Sequence, residues 1–223
     1  MLHKLLMLCC CVALLLSSQK AMATKYILVS HDPNDSAPVP GGAGASFETV
    51  VPGLYEADLY VRSGLQDSQN ENTDDITVYV RGGTYHEEGF NWRATSPTYE
   101  TKLIAYPGEE VIFDGLNQDG TIQTKLLTVS PVFRQTNVWI EGFIIQNYVN
   151  GVGFGDSAQK LSAGKHTSGN TVINNVFRRV GNTFNTINTH MGYHAVGITR
   201  SDNNRVEDNI FYKIENDKIM PDG

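Results

Sequence analysis

The segment Thr189-His190-Met191-Gly192-Tyr193-His194 places two imidazoles four positions apart, with a tyrosine beside the second. Imidazole changes charge near neutral pH, so a pair facing a groove can act as acid, base or hydrogen-bond partner. On a helix the same spacing binds zinc. Gly192 and the flanking β-type residues argue against a helix, however, and the glutamate of the HExxH pattern is missing. Arg200-Ser201-Asp202 follows the apolar run AVGIT (195–199) at a turn. Arg178 and Arg179 sit within another such run, where alternation turns at least one of them outward. A guanidinium can grip a carboxylate with two parallel hydrogen bonds, but most exposed arginines only add solubility. Asp202, Glu207 and Asp208 lie within seven residues. A calcium site needs several oxygen ligands and a glycoside hydrolase two opposed carboxyls; the spacing establishes neither. No metal is assigned.

The elements that must position these groups repeat. NTVINNVFRRVGN (170–182) returns 34 residues later as NRVEDNIFYKIEN (204–216), with Asn, Val, Asn, Phe, Val or Ile, and Asn kept at six positions. A weaker copy upstream matches Ile140, Phe143, Ile145, Tyr148 and Asn150 to Val172, Asn175, Phe177, Val180 and Asn182, at an offset of 32. Periods of 20–50 residues indicate a solenoid or propeller. Propeller blades need tight hairpins, and the Asn-Gly and Asp-Gly signals fall outside the repeats. Leucine-rich repeats need leucines, and the two clear copies have none. A parallel β-helix fits better: like residues of successive coils stack about 4.8 Å apart, apolar ones inside. Asn175 and Asn209 are then a two-rung amide ladder at a bend, where asparagine tolerates φ near or above zero.

Elsewhere the chain reads as short strands at 26–30, 76–80, 102–106, 110–114, 126–130, 138–146, 171–177, 195–199 and 205–214, punctuated by Gly, Asn, Asp and Pro. Phe47, Val50, Val51 and Leu54 have roughly helical spacing, with Ser46 as a cap, so residues 46–65 are the expected cover for the N-terminal end. Nothing comparable follows strand 209–214, and the sequence reads as the N-terminal part of a longer chain, with about five coils spanning about 24 Å.

Residues 1–23 have the layout of a secretory signal peptide: Lys4, an apolar run from Leu5 to Leu16, and Ala21-Met22-Ala23 before the cut. The run is too short to span a bilayer, so the expectation is a secreted or periplasmic protein, not an integral membrane one, with residues 24–223 as one domain. Cys9, Cys10 and Cys11 all fall in this leader, which leaves the exported chain without disulfides. The full chain carries a net charge of −7. So acidic a protein is a poor nucleic-acid binder, since phosphate contacts need clustered Lys and Arg. Residues 161–223 are nearly balanced, with 7 basic and 6 acidic groups, and repel an anionic ligand least. Asn34-Asp35-Ser36 is a glycosylation sequon, relevant only in a eukaryotic host.

ITVYVRGGTYHEEGF (76–90) and KLIAYPGEEVIFDG (102–115) resemble the first coils of secreted right-handed parallel β-helix proteins of the pectate-lyase-like superfamily. NVWIEGFIIQN and NTVINNVF resemble its later coils. The resemblance runs from about Lys25 to Asn216. It implies an all-β right-handed parallel β-helix with a polysaccharide, expected to be anionic, lying along stacked strands. In the superfamily's lyases, calcium or basic side chains neutralise a uronate carboxylate, and a Lys or Arg removes the ring proton. In that scheme Arg200, His194 and His190 are the candidate catalytic groups, and Arg178, Arg179 and Tyr193 the candidate substrate contacts. The fold also hosts hydrolases and non-catalytic adhesins, so a carbohydrate-binding module and a glycoside hydrolase stand as alternatives to the lyase.

Overall fold

The computed structural model describes residues 24–42, 44–64, 72–130, 136–155, 167–182 and 194–216. The expected leader, residues 1–23, lies outside them. The eighteen strands among the described residues are short, and every strand-to-strand ladder among them is parallel. The first sheet contains, in spatial order, β2 (Thr49–Val51), β1 (Lys25–Val29), β3 (Ile76–Val80), β6 (Thr101–Ala105), β9 (Val138–Glu141), β12 (Thr171–Ile173) and β16 (Arg205–Glu207). The second contains β4 (Gly83–Tyr85), β7 (Val111–Asp114), β10 (Phe143–Gln146), β13 (Val176–Arg178) and β17 (Ile210–Tyr212). The third contains β5 (Phe90–Trp92), β8 (Lys125–Val129), β11 (Asn150–Gly155) and β15 (Val196–Thr199). A two-stranded ladder pairs β14 (Gly181–Asn182) with β18 (Glu215–Asn216). From β3 onward the chain visits the first, second and third sheets in the same order on each circuit. The expected all-β architecture with parallel sheets is therefore what the chain adopts.

Period-two alternation sends one face of each strand inward, and strand register aligns those faces into columns. Val78, Leu103, Ile140, Val172 and Val206 form one; Tyr85, Phe113, Ile145, Phe177 and Phe211 form another. Both run through a continuous buried core. Each fully buried aliphatic or aromatic side chain there contributes about 1.5–3 kcal/mol. The column ends are different: Val206 is 38% and Phe211 50% exposed.

The corners explain the repeat. Left-handed residues recur at Asn137, Gly169 and Asn203, at Gly142, Asn174 and Asp208, and at Asn147, Arg179 and Lys213, with the same offsets of 32 and 34 as the sequence copies. Each is a sharp bend that Gly and Asn enter at low cost. The ladder asparagine is not the bent residue, as expected from sequence; its neighbour Asn174 takes the positive φ, and this frees Asn175 to point inward. There its Oδ1 accepts the Phe143 N–H at 2.9 Å, and its Nδ2 donates to Ile140 O, Ile173 O and Asn209 Oδ1 at 2.9–3.1 Å. A second ladder joins Asn170 Nδ2 to Asn204 Oδ1 at 2.9 Å. Asn150 departs from the repeat: it opens β11 opposite Lys125, whereas Asn182 pairs with Asn216.

The expected helix begins later than its apolar spacing suggested. Residues 49–51 form an edge strand, and the helix α1 runs over Leu54–Gly64, after Pro52. Its buried Leu54, Ala57 and Val61 pack into the core. Arg81, in the VYVRGGTY stretch, is structural: it bonds Asp35 at 2.8 Å and Glu109 at 2.9 Å and lies 4.8 Å over the Tyr106 ring, tying the 30–42 loop to the circuits.

Candidate functional site

On the third sheet the outward column is Asn91, Thr128, Gly153 and Gly197, one residue per strand. Two side chains followed by two glycines make the surface drop, leaving a trough of about 270 Å³. Lys125 flanks one side. Its Nζ donates to Asn91 Oδ1 at 2.7 Å and Thr128 Oγ1 at 3.3 Å, which holds the ammonium over the column. Partial burial holds its pKa below the usual lysine value, because a desolvated ammonium gives up its proton more readily. Among the described residues it has no ion-pair partner within reach.

His194 closes the other end. Its backbone N–H donates to Asn150 Oδ1 at 3.2 Å, and its ring lies so close over Gly197 that a Cβ there would meet Cδ2 at 2.3 Å. Gly197 is thus what admits the imidazole. From Thr128 to Gly197 is two strand spacings, about 10 Å. Among the described residues no carboxylate lines the trough; its titratable groups there are Lys125 and His194, and its other polar side chains are Thr128, Asn150 and Thr199. Such a surface suits an anion with hydroxyls to share.

The predicted residues are dispersed. His194 is in the trough, and Arg200 is one residue beyond its lining Thr199, exposed at a left-handed corner. Arg178 is on another face: its Nε bonds Gln146 Oε1, and Gln146 bonds Asp114 at 2.7 Å, a polar column on the second sheet. Arg179 is the exposed corner residue after β13, with its N–H on Tyr212 O at 3.1 Å. The structure therefore does not bring Arg178 and Arg179 to the trough that holds His194, because the corner after β13 separates the two sheets. His190 and Tyr193 lie outside the described residues. Lys125 gave no signal as an isolated lysine at a strand start; its importance comes from Asn91, 34 residues earlier.

No protein-family model, curated protein or solved structure matches this chain.

Proposed function

We propose that the chain is a right-handed parallel β-helix of the pectate-lyase-like kind, exported behind a leader cut after Ala23. On this reading it binds an anionic polysaccharide along its third sheet and cleaves it by β-elimination. The observation that carries the reading is the trough along stacked strands, where the titratable groups among the described residues are a lysine and a histidine, without a carboxylate. The cyclic order of the three parallel sheets supports the fold half of the reading.

The chemistry follows from proton accounting. Neutral Lys125 takes the proton α to the uronate carboxylate, the bond from the β-carbon to the glycosidic oxygen breaks, and a carbon–carbon double bond forms. His194, at the other end of the trough, hands a proton to the leaving oxygen. The developing enolate needs positive charge nearby, and Arg200 is the cation next along the chain from the trough. Calcium, which the resemblance implies for some lyases, finds no carboxylate here. Among the described residues no group of three or more His, Cys, Asp or Glu side chains could hold a metal. The residues do not fit the ion, and no step passes through it.

Incubation with polygalacturonate and with alginate, followed by absorbance of the unsaturated uronide, tests the reading. Product is expected, with Lys125→Ala lowering kcat/KM at least a hundredfold, in the range of a lost general base. New reducing ends without absorbance would make the protein a hydrolase, and retention in a polysaccharide gel without product a binding module; either result rejects elimination.

A further inference from the structure

A cavity of about 630 Å³ lies where the foot of α1 meets the 86–89 turn between β4 and β5. Its walls are rings and carboxylates. Tyr55 meets Phe90 edge-on at 5.8 Å, and His31 stacks on Tyr85 at 4.3 Å. The Glu87 and Glu56 carboxylates come within 2.5 and 2.9 Å of where a Cβ on Gly53 would stand, so that glycine opens the space between them. Among the described residues no Lys or Arg lines the cavity.

This cavity adjoins the trough. Gly89 belongs to its wall, and a Cβ on Gly89 would meet Lys125 O at 2.7 Å and Lys125 Cγ at 2.8 Å. The lysine of the trough and the wall of the cavity are thus in van der Waals contact, and β5 leads directly from one to the other. A polymer lying along the third sheet reaches the cavity as it passes β5. The two stretches make opposite demands. Lys125 and His194 attract a carboxylate, whereas Glu56 and Glu88 repel one. Aromatic faces pack against the C–H face of a sugar ring, and carboxylates accept hydrogen bonds from its hydroxyls.

The geometry points to an uncharged sugar subsite in this cavity, adjoining the uronate site, so that a heteropolysaccharide with uronate and neutral sugar units binds more tightly than a homopolyuronate. This rests on the trough binding an anionic glycan. Affinity electrophoresis in gels containing unsulfated chondroitin, which alternates glucuronate with an N-acetylated hexosamine, or polygalacturonate provides the test. The dissociation constant for chondroitin should be about tenfold lower than for polygalacturonate. Tyr55→Ala and Glu56→Gln, both on accessible side chains, should collapse that ratio toward one, and Lys125→Ala should weaken both polymers together. Equal or tighter binding of polygalacturonate, or a ratio unmoved by both cavity variants, overturns the subsite while leaving the trough intact. Binding of neither polymer overturns the trough reading and the subsite with it.

Discussion

Glu87 shows how a single residue can be set by neighbours remote in sequence. Its side chain is buried, and Oε1 accepts the Leu54 N–H at 2.6 Å, capping the first turn of α1 from 33 residues away. Burial, with Glu56 beside it, pushes its pKa up to about 7 against an ordinary 4.5, more than the helix amides lower it. The folded protein therefore keeps this proton between pH 4.5 and about 7 while the unfolded chain has lost it. Stability falls as pH rises through that window and levels off above it, a swing of about 3 kcal/mol at most. Glu87→Gln keeps an acceptor for Leu54 and carries no charge. Urea unfolding at pH 5 and pH 8 should show the variant gaining on the parent at pH 8 only. Equal differences at both values would mean the carboxyl is not held protonated. Nothing in the segment His86-Glu87-Glu88 distinguishes one glutamate from the next, because the difference is made by α1 docking on it.

Among the elements, α1 is held by charge as well as by packing. Asp58 is fully buried; its Oδ1 accepts from Arg93 N at 2.7 Å and Ala94 N at 2.9 Å, and its Oδ2 from Arg62 Nε at 2.8 Å. Burial is the largest influence on this carboxyl and raises its pKa above the usual aspartate value. One side chain thus fastens the helix to the end of β5. Asp58→Ala leaves two amides without partners and should cost about 2–5 kcal/mol in chemical denaturation; a loss under 1 kcal/mol would show the helix is seated by its apolar face alone. The strands were legible because alternation and a repeating period are local signals, and 76–80 falls on β3 without a residue's error. The start of α1 was not, since Phe47, Val50 and Val51 mimic a helical stripe while joining loop and edge strand. The left-handed corners escaped too, because Arg179, Arg200 and Lys213 occupy positions that their residue types do not announce.

For the whole molecule, burial is graded along the stack. Leu103 and Ile140 in the middle circuits are fully buried, whereas Ile198, Val206, Ile210, Phe211 and Tyr212 in the last described strands are exposed. Each middle circuit is sandwiched by two ladders, and the last described one rests on a single ladder. In a recombinant chain of these 223 residues, opening should therefore proceed from that side. Native-state hydrogen exchange is expected to be fastest at β15, β16 and β17 and slowest at β6 and β9. Uniform protection across these strands would mean one cooperative unit.

The outward column of the third sheet has a consequence for how this surface can change. Each circuit contributes a single letter to it, Asn91, Thr128, Gly153 or Gly197, and none of these four residues is part of the apolar core. Fold and outer contour are consequently written in different residues of the same strand. Exchanging Gly153 for serine or Thr128 for glycine would raise or lower the floor at one strand spacing and leave the interior untouched. A lineage built this way can reshape this face one circuit at a time, without a compensating change in its core.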